Sequence, residues 1–386
     1  MSLLLKHGKG EEFRHMECHE DQQTKNTRLS ALEFMISGVA AIVEEDIGLI
    51  RKLFYTLTIN SIEFVNEASE ELGVVVDPVI ALLNHSCRPN AYVTFRGPVT
   101  LIRAHRQIEP DETITISYIS VRQRRPKRLE ELQNRYFFEC HCARCDEYPV
   151  LKDNFDIDVE CYFCCKAPIG TTDSKDLQCI RCKKPLSMDI ISASEIKAEE
   201  VLANKETMPM CTVLGSLSRM GHWSPRGHLL HTLNLEVKSD FIDRGNYGKA
   251  FDHSIVILRL PIDAGLMPDE VVNLASTFQL IIAISCDAGE LAQSRTLKSL
   301  TQIQVAEFAN YLGTILAKEV VFTHGKGPFV DTILERITMF QQDLALNLIG
   351  RQLLELSRGN ETKYISSLGP MLETVLRNID LFQSGS

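Results

Sequence analysis

The chain lacks a long apolar segment. Its longest apolar stretch, 34–43, covers 10 residues, which is about half the length that a membrane-spanning helix needs. The first six residues, Met-Ser-Leu-Leu-Leu-Lys, contain too short an apolar core for a secretory signal. We therefore expect no membrane partner, and a location in the cytoplasm, the nucleus or both.

A basic excess is also missing. The chain has 41 lysines and arginines against 51 aspartates and glutamates, which gives a net charge of −10. Proteins that bind nucleic acid in general usually carry the opposite sign, so we expect no direct binding of nucleic acid. One basic run could meet a nucleic acid, but we favour a solvated surface for it. The run consists of Arg122, Arg124, Arg125, Lys127 and Arg128.

Cysteine, in contrast, is abundant. The chain of 386 residues is long enough for two or three domains, and it contains 12 cysteines, most of them between Cys140 and Cys182. Because no export signal precedes them, paired spacings indicate metal sites rather than disulfides. Cys18, Cys211 and Cys286 lie outside any such spacing, and we expect them to be buried structural residues.

Composition divides the chain into segments of different character. Helix and strand patterns mix over 28–138, the segments 139–150 and 151–189 are rich in cysteine, and 1–27 is polar. The periodicity predicts one helix over 28–53 and strands over 54–65, 92–95 and 113–119. The apolar face expected for the helix consists of Leu32, Met35, Ile36, Val39, Ile42 and Val43.

The last segment, 190–386, lacks strand alternation and is predicted to be helical. One apolar stripe is followed by a turn at 243–246 and a second helix that begins near Tyr247, where Ala250 accompanies aromatic residues. This pairing is typical of tetratricopeptide repeats. The stripe consists of Leu230, Leu233, Val237 and Phe241. Further stripes predict more helices at Phe278, Ile281 and Ile282, and at Leu372, Val375, Leu376 and Ile379.

Three motifs follow one another between residues 82 and 145. The first is 84–90, Asn-His-Ser-Cys-Arg-Pro-Asn, in which polar residues follow an apolar run and proline ends regular structure. Taken alone, it is interpreted equally well as a polar turn after a buried strand. The second is a strand pattern that ends in Tyr118, and the third is 138–145, Phe-Glu-Cys-His-Cys-Ala-Arg-Cys.

This order of motifs resembles the SET-domain methyltransferases, and in particular the SET-and-MYND (SMYD-like) family, over about residues 28–148. The resemblance implies an α+β fold. Its SET-type β core would be threaded through a pseudoknot, an exception to the rule that chains avoid knots. A zinc-binding post-SET loop at 139–150, a zinc-ribbon-like segment at 151–189 and an all-α, tetratricopeptide-like domain at 190–386 would follow.

The resemblance also implies a reaction and its residues. The family transfers a methyl group from S-adenosylmethionine to a lysine of a histone or another protein. The positions matching Asn60, Asn84, His85 and Phe138 face the cofactor, Tyr118 matches the residue at the methyl-transfer point, and Tyr136 lines the lysine channel with it. An aromatic channel suits this substrate, because it accepts the apolar stem and tolerates a cation.

Two zinc sites are expected. Cys140, Cys142 and Cys145 offer three thiolates, one fewer than structural zinc prefers, and the resemblance implies Cys87 as the fourth. Unligated thiols are the alternative. The second set, Cys161-x2-Cys164 and Cys179-x2-Cys182, has the spacing of a zinc ribbon. Cys165 is an alternate ligand there, and we expect this site to act as a scaffold.

The sequence also departs from the family. We find neither the Gly-x-Gly turn that begins complete SET domains nor a MYND finger, of which 13–18 resembles only the end. We therefore expect a shortened chain that binds the cofactor weakly. The alternative function is a catalytically impaired SET-like zinc-binding interaction protein, with a peptide partner in a groove of the helical domain. A zinc-ribbon transcription factor is disfavoured, because no basic recognition element accompanies the ribbon.

Overall fold

The computed structural model describes a large part of the chain. The described residues are 16–25, 30–43, 45–123, 125–146, 169–171, 177–179, 183–185, 188–204, 207–219, 228–258 and 266–346. They fall into two compact units. The first comprises Met1–Val121 and Arg125–Asp146, and the second comprises Arg122–Arg124 and Glu147–Ser386. Strands in the first unit and mainly helices in the second fit the expected α+β class.

The described part of the first unit begins with three helices, α1 (Glu20–Gln23), α2 (Ser30–Val43) and α3 (Ile47–Asn60). The single helix expected over 28–53 is therefore wrong. Asp46 has extended backbone, and its carboxylate accepts a hydrogen bond from the Leu49 N–H at 2.9 Å. A side chain in this position caps a new helix, so the chain starts α3 here instead of continuing α2.

Helix α3 extends through Asn60, so the strand expected over 54–65 starts only at Ser61. The β-branched residues of 54–60 favour a strand locally, but burial of Tyr55 and Thr56 against neighbouring helices outweighs that preference.

Helix α2 buries a narrower face than its pattern indicates. Ile36 is fully buried and Leu32 and Val39 pack beside it, whereas three other residues of the expected face, Met35, Ile42 and Val43, are exposed. The reason is geometric. The helix packs mainly on α3, so only residues along one stripe reach the small cluster around Ile50 and Tyr55.

Six strands of the first unit form three two-stranded sheets. Strands β1 (Ser61–Val65) and β2 (Glu71–Val76) are antiparallel, as are β4 (Ala91–Arg96) and β5 (Val99–Ala104). The strand expected over 92–95 is thus confirmed. Strands β3 (Asn84–His85) and β6 (Thr115–Ile116) are parallel, and a 3-10 turn at Ile80–Leu82 precedes β3.

Strand β6 is much shorter than the expected strand over 113–119. The side chain of Asn90 explains the difference, since its amide nitrogen donates to the Thr113 carbonyl at 2.9 Å and its oxygen accepts from the Thr115 N–H at 2.8 Å. These backbone groups are therefore satisfied without a neighbouring strand. Ile116 is buried, but Ile114 remains 44% exposed.

Helices α4 (Arg125–Tyr136) and α5 (Ala143–Asp146) complete the first unit. Leu132 and Tyr136 of α4 pack against buried cysteines, and this cluster forms the core nearest the site. Short strands β7 (Ile169–Thr171) and β8 (Leu177–Cys179) pair in the second unit.

The rest of the described second unit is helical. Its elements are α6 (Met188–Ala203), α7 (Met210–Arg219), α8 (His228–Asp243), α9 (Tyr247–Ile257), α10 (Pro268–Cys286), α11 (Ala288–Gln293), α12 (Gln302–His324) and α13 (Pro328–Leu346). The predicted stripe on α8 is confirmed, because Leu230, Leu233 and Val237 are buried. The expected turn is also present, with Gly245 at a φ of 71°. The stripe at Leu372–Ile379 lies outside the described residues, and the likeness to tetratricopeptide repeats stays a prediction.

Helix α10 is the central core helix of this unit. Leu274, Phe278 and Ile281 are buried in its largest apolar cluster. Among the described residues it is the one helix long and apolar enough to cross a membrane by length and composition. Core helices of soluble proteins meet the same criterion, and 56% of the apolar window is buried inside the molecule.

Candidate functional site

The first unit contains an open cavity of about 880 Å³, a size that accommodates a cofactor or a comparable ligand. All six residues that the sequence predicts for cofactor and substrate line it: Asn60, Asn84, His85, Tyr118, Tyr136 and Phe138. These residues come from α3, β3, the segment after β6, α4 and the segment after α4. The structure therefore brings together residues that are up to 78 positions apart in the chain.

The short parallel pair of β3 and β6 forms the centre of this site. Its register places Asn84 beside Thr115 and His85 beside Ile116. A buried apolar cluster that includes Ile80, Ala91 and Ile116 supports the pair from below. Each strand contributes only two residues to this pairing. Contacts between side chains are therefore needed to hold the polar residues near β3 and β6 in place.

Tyr118 is held at three points. Its hydroxyl donates to the Leu83 carbonyl. Its backbone N–H donates to Nδ1 of His85 at 3.0 Å, and its carbonyl accepts from the Tyr136 hydroxyl at 3.1 Å. The Tyr118 backbone is therefore fixed by two residues that line the cavity, His85 and Tyr136, and its ring by the residue that directly precedes Asn84.

Aromatic rings form one wall of the cavity. The Tyr118 ring lies 4.9 Å from the Tyr136 ring, 5.3 Å from the His85 ring and 6.4 Å from the Phe138 ring, between centroids. Burial raises the pKa of Tyr118 and of Tyr136. Both side chains are therefore neutral phenols near pH 7, able to exchange hydrogen bonds but not to act as strong bases.

Asn60 lies at the end of α3 and bonds to a segment that the sequence analysis did not assign to the site. Its amide nitrogen donates to the carbonyls of Glu17 and Thr56, each at 2.8 Å. Glu17 and His19 also line the cavity. No local pattern could have identified them, because 43 residues separate Glu17 from Asn60.

The four cysteines Cys87, Cys140, Cys142 and Cys145 converge beside the cavity. Their sulfur atoms all lie within 4.8 Å of one another, with 4.0 Å between Cys87 and Cys140 and 3.6 Å between Cys87 and Cys145. Four thiolates around a tetrahedral zinc ion with bonds of about 2.3 Å would be about 3.8 Å apart. The donor set and its spacing therefore fit zinc.

The chemistry of the thiols also fits a metal. Hydrogen bonds from Cys140 above all, and from Cys145 and Cys87, hold the pKa of the Cys142 thiol well below its usual range. The thiolate is the form that binds metal. Cys87, Cys140 and Cys145 are buried, and a cluster of thiols in such surroundings suits a structural ion that is closed to solvent.

Arginines surround this cluster, which corrects the expectation of a solvated basic run. Arg128 is fully buried, and half-buried Arg125 donates from Nε to the Cys145 carbonyl at 3.0 Å. Among the described residues of the run, Lys127 behaves as expected, exposed and paired with Glu130, and Arg124 lies outside the described residues. The prediction was wrong because one face of α4 packs toward the cysteine cluster, so the arginines on that face are buried. Four thiolates around a zinc ion would carry a net charge of −2, which suits arginine neighbours.

A buried arginine outside that run also holds the cluster. Arg144 of α5 donates from Nη1 to the Cys87 carbonyl at 3.1 Å and to the Val121 carbonyl at 2.8 Å. Its guanidinium thus joins the backbone of the motif that contains Cys87 to the backbone of the segment that follows Tyr118.

His85 lies between the cavity and the cysteines. Its Nδ1 accepts from the Tyr118 N–H, and its Nε2 lies 3.3 Å from Sγ of Cys87. Burial lowers the pKa of His85 to about 4, so the imidazole is neutral near pH 7. Since Nδ1 accepts a hydrogen bond, the single ring proton is on Nε2, and that N–H points at the sulfur.

The second expected zinc site remains a prediction. Cys161, Cys164, Cys165 and Cys182 lie outside the described residues, and Cys179 is described only as part of the backbone of β8. The expectation for the remaining cysteines is wrong in part, because Cys211 and Cys286 are exposed and Cys18 is only half-buried. Both exposed thiols lie near helix ends, where little packs against them.

Comparison with known proteins gives a consistent picture. Residues 10–119 match the family model described as SET domain. The chain is 32% identical over 140 residues to "SET domain and MYND-type zinc finger protein 6" of Schizosaccharomyces pombe, which covers 36% of this chain and 29% of the relative. It is 41% identical over 92 residues to mouse "Histone-lysine N-methyltransferase SMYD3", covering 24% of this chain and 22% of the relative.

A third relative is "N-lysine methyltransferase SMYD2-A" of Danio rerio, 33% identical over 139 residues, which cover 34% of this chain and 32% of the relative. In each case the chain matches less than a third of the relative's length.

Proposed function

We propose that this chain, in which residues 10–119 form a SET domain, is an S-adenosylmethionine-dependent protein-lysine N-methyltransferase. One observation carries the proposal: six side chains that the motifs and the family resemblance single out line the same cavity, next to the cysteine cluster. The similarity to lysine methyltransferases over the SET region supports the choice of lysine as the acceptor.

The residues of the cavity divide into two groups by chemistry. Asn60, Asn84, His85 and Phe138 would hold the cofactor, since amide and backbone groups suit the polar parts of a nucleoside and Phe138 offers an aromatic face. Bound S-adenosylmethionine supplies a methyl group on a sulfonium ion, which reacts with a neutral amine. Tyr118 and Tyr136 would flank the lysine side chain, whose apolar stem and cationic head both suit aromatic faces.

Alignment is the main contribution of these residues. Tyr118 is fixed through its N–H, its carbonyl and its hydroxyl, so an amine that contacts the ring or hydroxyl would be oriented without further ordering of the protein. Such positioning is worth on the order of 7–11 kcal/mol in the best cases. The raised pKa of Tyr118 means that the hydroxyl orients the amine and does not deprotonate it.

The cysteine cluster would hold a structural zinc ion. Cys87 follows β3, and the other three cysteines follow α4, so one ion would join the strand that contains Asn84 and His85 to the segment that contains Phe138. Zinc would thereby fix two sides of the cavity relative to each other.

The experiment is a methyl-transfer assay on the whole chain. Purified protein is incubated with tritiated S-adenosylmethionine and with core histones or lysine-rich peptides, and the label in the substrate is counted. We expect Tyr118→Phe to lower the rate at least about tenfold, equivalent to about 1.4 kcal/mol of transition-state stabilisation. Tyr247→Phe, a partly exposed tyrosine of α9, is the matched control and should keep the rate.

Calorimetry with S-adenosylmethionine distinguishes this function from the alternative. If the chain neither binds the cofactor nor transfers a methyl group, although it retains zinc and its helical content, the enzyme proposal is wrong. A zinc-binding interaction protein that keeps the SET fold would then be the better assignment.

A further inference from the structure

One histidine contacts both the cysteine cluster and the tyrosine at the proposed transfer point. Nδ1 of His85 accepts from the Tyr118 N–H at 3.0 Å, and Nε2 lies 3.3 Å from Sγ of Cys87. The two ring nitrogens thus contact two parts of the site that the proposed function treats separately. Cys87 is buried, and His85 itself is half-buried.

We infer that His85 is a positioning residue that couples metal binding at the cysteine cluster to the orientation of Tyr118. The inference rests on the proposed function for its catalytic consequence and on the cysteine cluster for its metal. It adds a role for the imidazole ring that is distinct from contact with the cofactor.

The argument for the metal end follows from the direction of the hydrogen bond. Because Nδ1 accepts from a backbone N–H, the ring proton is on Nε2, and the ring donates to the Cys87 sulfur. A metal-bound thiolate has no proton and accepts such a bond readily. Donors to metal ligands fix the orientation of the ligand and contribute to metal affinity, typically 10–100-fold.

The argument for the tyrosine end follows from the fixed backbone. The Tyr118 hydroxyl is bound to Leu83, which directly precedes Asn84, and its carbonyl is bound to Tyr136. The bond to His85 is the third constraint. Without it, residue 118 could rotate about the other two, and the ring would leave the arrangement that aligns the amine.

The coupling predicts a spectroscopic signature that does not depend on turnover. When the chain is loaded with 113Cd in place of zinc, the Nε2 proton of His85 should give a cross-peak with the metal through the N–H···S bond. His141 is the matched control, because it lies between two of the cysteines but bonds to Asp146. We expect His141→Gln to keep this cross-peak and His85→Leu to abolish it.

Two isosteric variants separate the two ends of the ring. The side-chain oxygen of His85→Asn can occupy the Nδ1 position and accept from Tyr118, but no group reaches Cys87. The amide nitrogen of His85→Gln can occupy the Nε2 position and donate to the sulfur, but the acceptor for Tyr118 is lost. We expect His85→Asn to weaken metal affinity 10–100-fold and to leave the Tyr118 amide signal of the 15N-tyrosine-labelled chain in place.

For His85→Gln we expect the reverse result. Metal affinity should stay within about threefold, kcat should fall about tenfold or more with little change in KM for the peptide, and the Tyr118 amide signal of the 15N-tyrosine-labelled chain should move upfield. Opposite results for the Asn and Gln variants would show that the two contacts of the His85 ring have separate effects.

Two outcomes would overturn the inference: the absence of the 113Cd cross-peak in a wild-type chain with the metal bound, or Asn and Gln variants with the same effects on metal affinity and on the Tyr118 amide. If the wild-type chain transfers no methyl group, the proposed function fails. The cross-peak, the affinities and the amide shift would still decide whether His85 couples the two sites.

Discussion

At the scale of single residues, buried polar side chains replace missing secondary structure. Asn90 is buried and satisfies the backbone on both sides of Ile114, which allows β6 to remain two residues long. The same amide donates to the carboxylate of Glu112 at 2.9 Å. The loop before β6, and with it Tyr118, therefore depends on a carboxylate that is part of a small network with Arg106.

This network predicts a pH dependence of stability. The Arg106 guanidinium, with help from Asn90 and the Glu109 N–H, lowers the pKa of Glu112 from 4.5 to about 2. A carboxyl whose pKa is lower in the folded than in the unfolded state stabilises the fold above about pH 4.5 and loses this contribution as the pH falls toward about 2. Glu112→Gln should therefore have a lower Tm than wild type at pH 6.

The Tm difference between the two proteins should shrink between about pH 4.5 and pH 2, which differential scanning calorimetry can follow. Glu63→Gln, which removes an exposed carboxylate from β1, serves as the control for charge loss. A Tm difference for Glu112→Gln that stays constant across this range would contradict the assignment.

Where a motif contained them, the sequence identified residues that the structure brings together, and the roles of these residues stay predictions. Asn84, His85, Tyr118, Phe138 and the four clustered cysteines come from three motifs, whereas Asn60 and Tyr136 were assigned through the family resemblance. The sequence failed for residues whose role depends on distant partners. Arg128 looked like part of a solvated run, and its burial against the cysteine cluster depends on how α4 packs. Glu17 and His19 lie at the cavity because of contacts between distant parts of the chain, such as the bond between Glu17 and Asn60 across 43 residues.

At the scale of elements, a close approach between the backbones of α9 and α11 requires glycine at position 248. A Cβ on Gly248 of α9 would lie 2.2 Å from the Glu290 carbonyl oxygen and 2.9 Å from the Ser294 nitrogen. Glu290 also accepts from the Gly248 N–H through its side chain at 2.8 Å. Backbone thus meets backbone at this position, and flexible side chains cannot relieve the contact.

Alanine at position 248 should therefore destabilise the protein, although alanine usually favours helices over glycine by about 0.5–1 kcal/mol. For Gly248→Ala we expect a loss of about 1–3 kcal/mol, as for other overpacked sites. Gly215→Ala in α7, where the nearest atom is a flexible arginine end at 3.9 Å, should be neutral or stabilising. Urea unfolding followed by circular dichroism would measure both, and equal effects would refute this explanation.

Local patterns predicted the helices of the second unit better than the elements around the site. The stripe on α8 and the turn before α9 follow from short-range periodicity, and both are present. In contrast, the ends of α2, α3 and β6 depend on single side chains such as Asp46 and Asn90. A hydrophobic pattern contains no information about such caps, so the boundaries near the site were misplaced.

At the scale of the whole molecule, the metal content is the broadest prediction. We expect two zinc ions for each chain, one at Cys87, Cys140, Cys142 and Cys145 and one at the pairs Cys161-x2-Cys164 and Cys179-x2-Cys182. Atomic absorption of the purified chain should give two equivalents, and Cys142→Ser should give one, because three thiolates bind zinc more weakly than four.

Chelation tests the structural role of these ions. Removing zinc should expose thiols to a colorimetric reagent and lower the Tm, because ligand binding to the folded state alone stabilises it. Cys286→Ser, an exposed cysteine outside both sets, is the control that should keep both equivalents. Fewer than two equivalents, with all eight thiols freely reactive, would contradict the prediction.

The separation of the clustered cysteines along the chain also determines when the metal site can form during protein synthesis. Cys140 and Cys145 follow Cys87 by 53 and 58 residues, so a growing chain cannot complete the cluster until Cys145 has left the ribosome. Adding the 58 residues from Cys87 to Cys145 takes about 3–12 s at about 5–20 residues per second. During that interval the newly synthesised thiols compete between metal and oxidant, and the zinc supply at the ribosome sets the fraction of chains that complete the site.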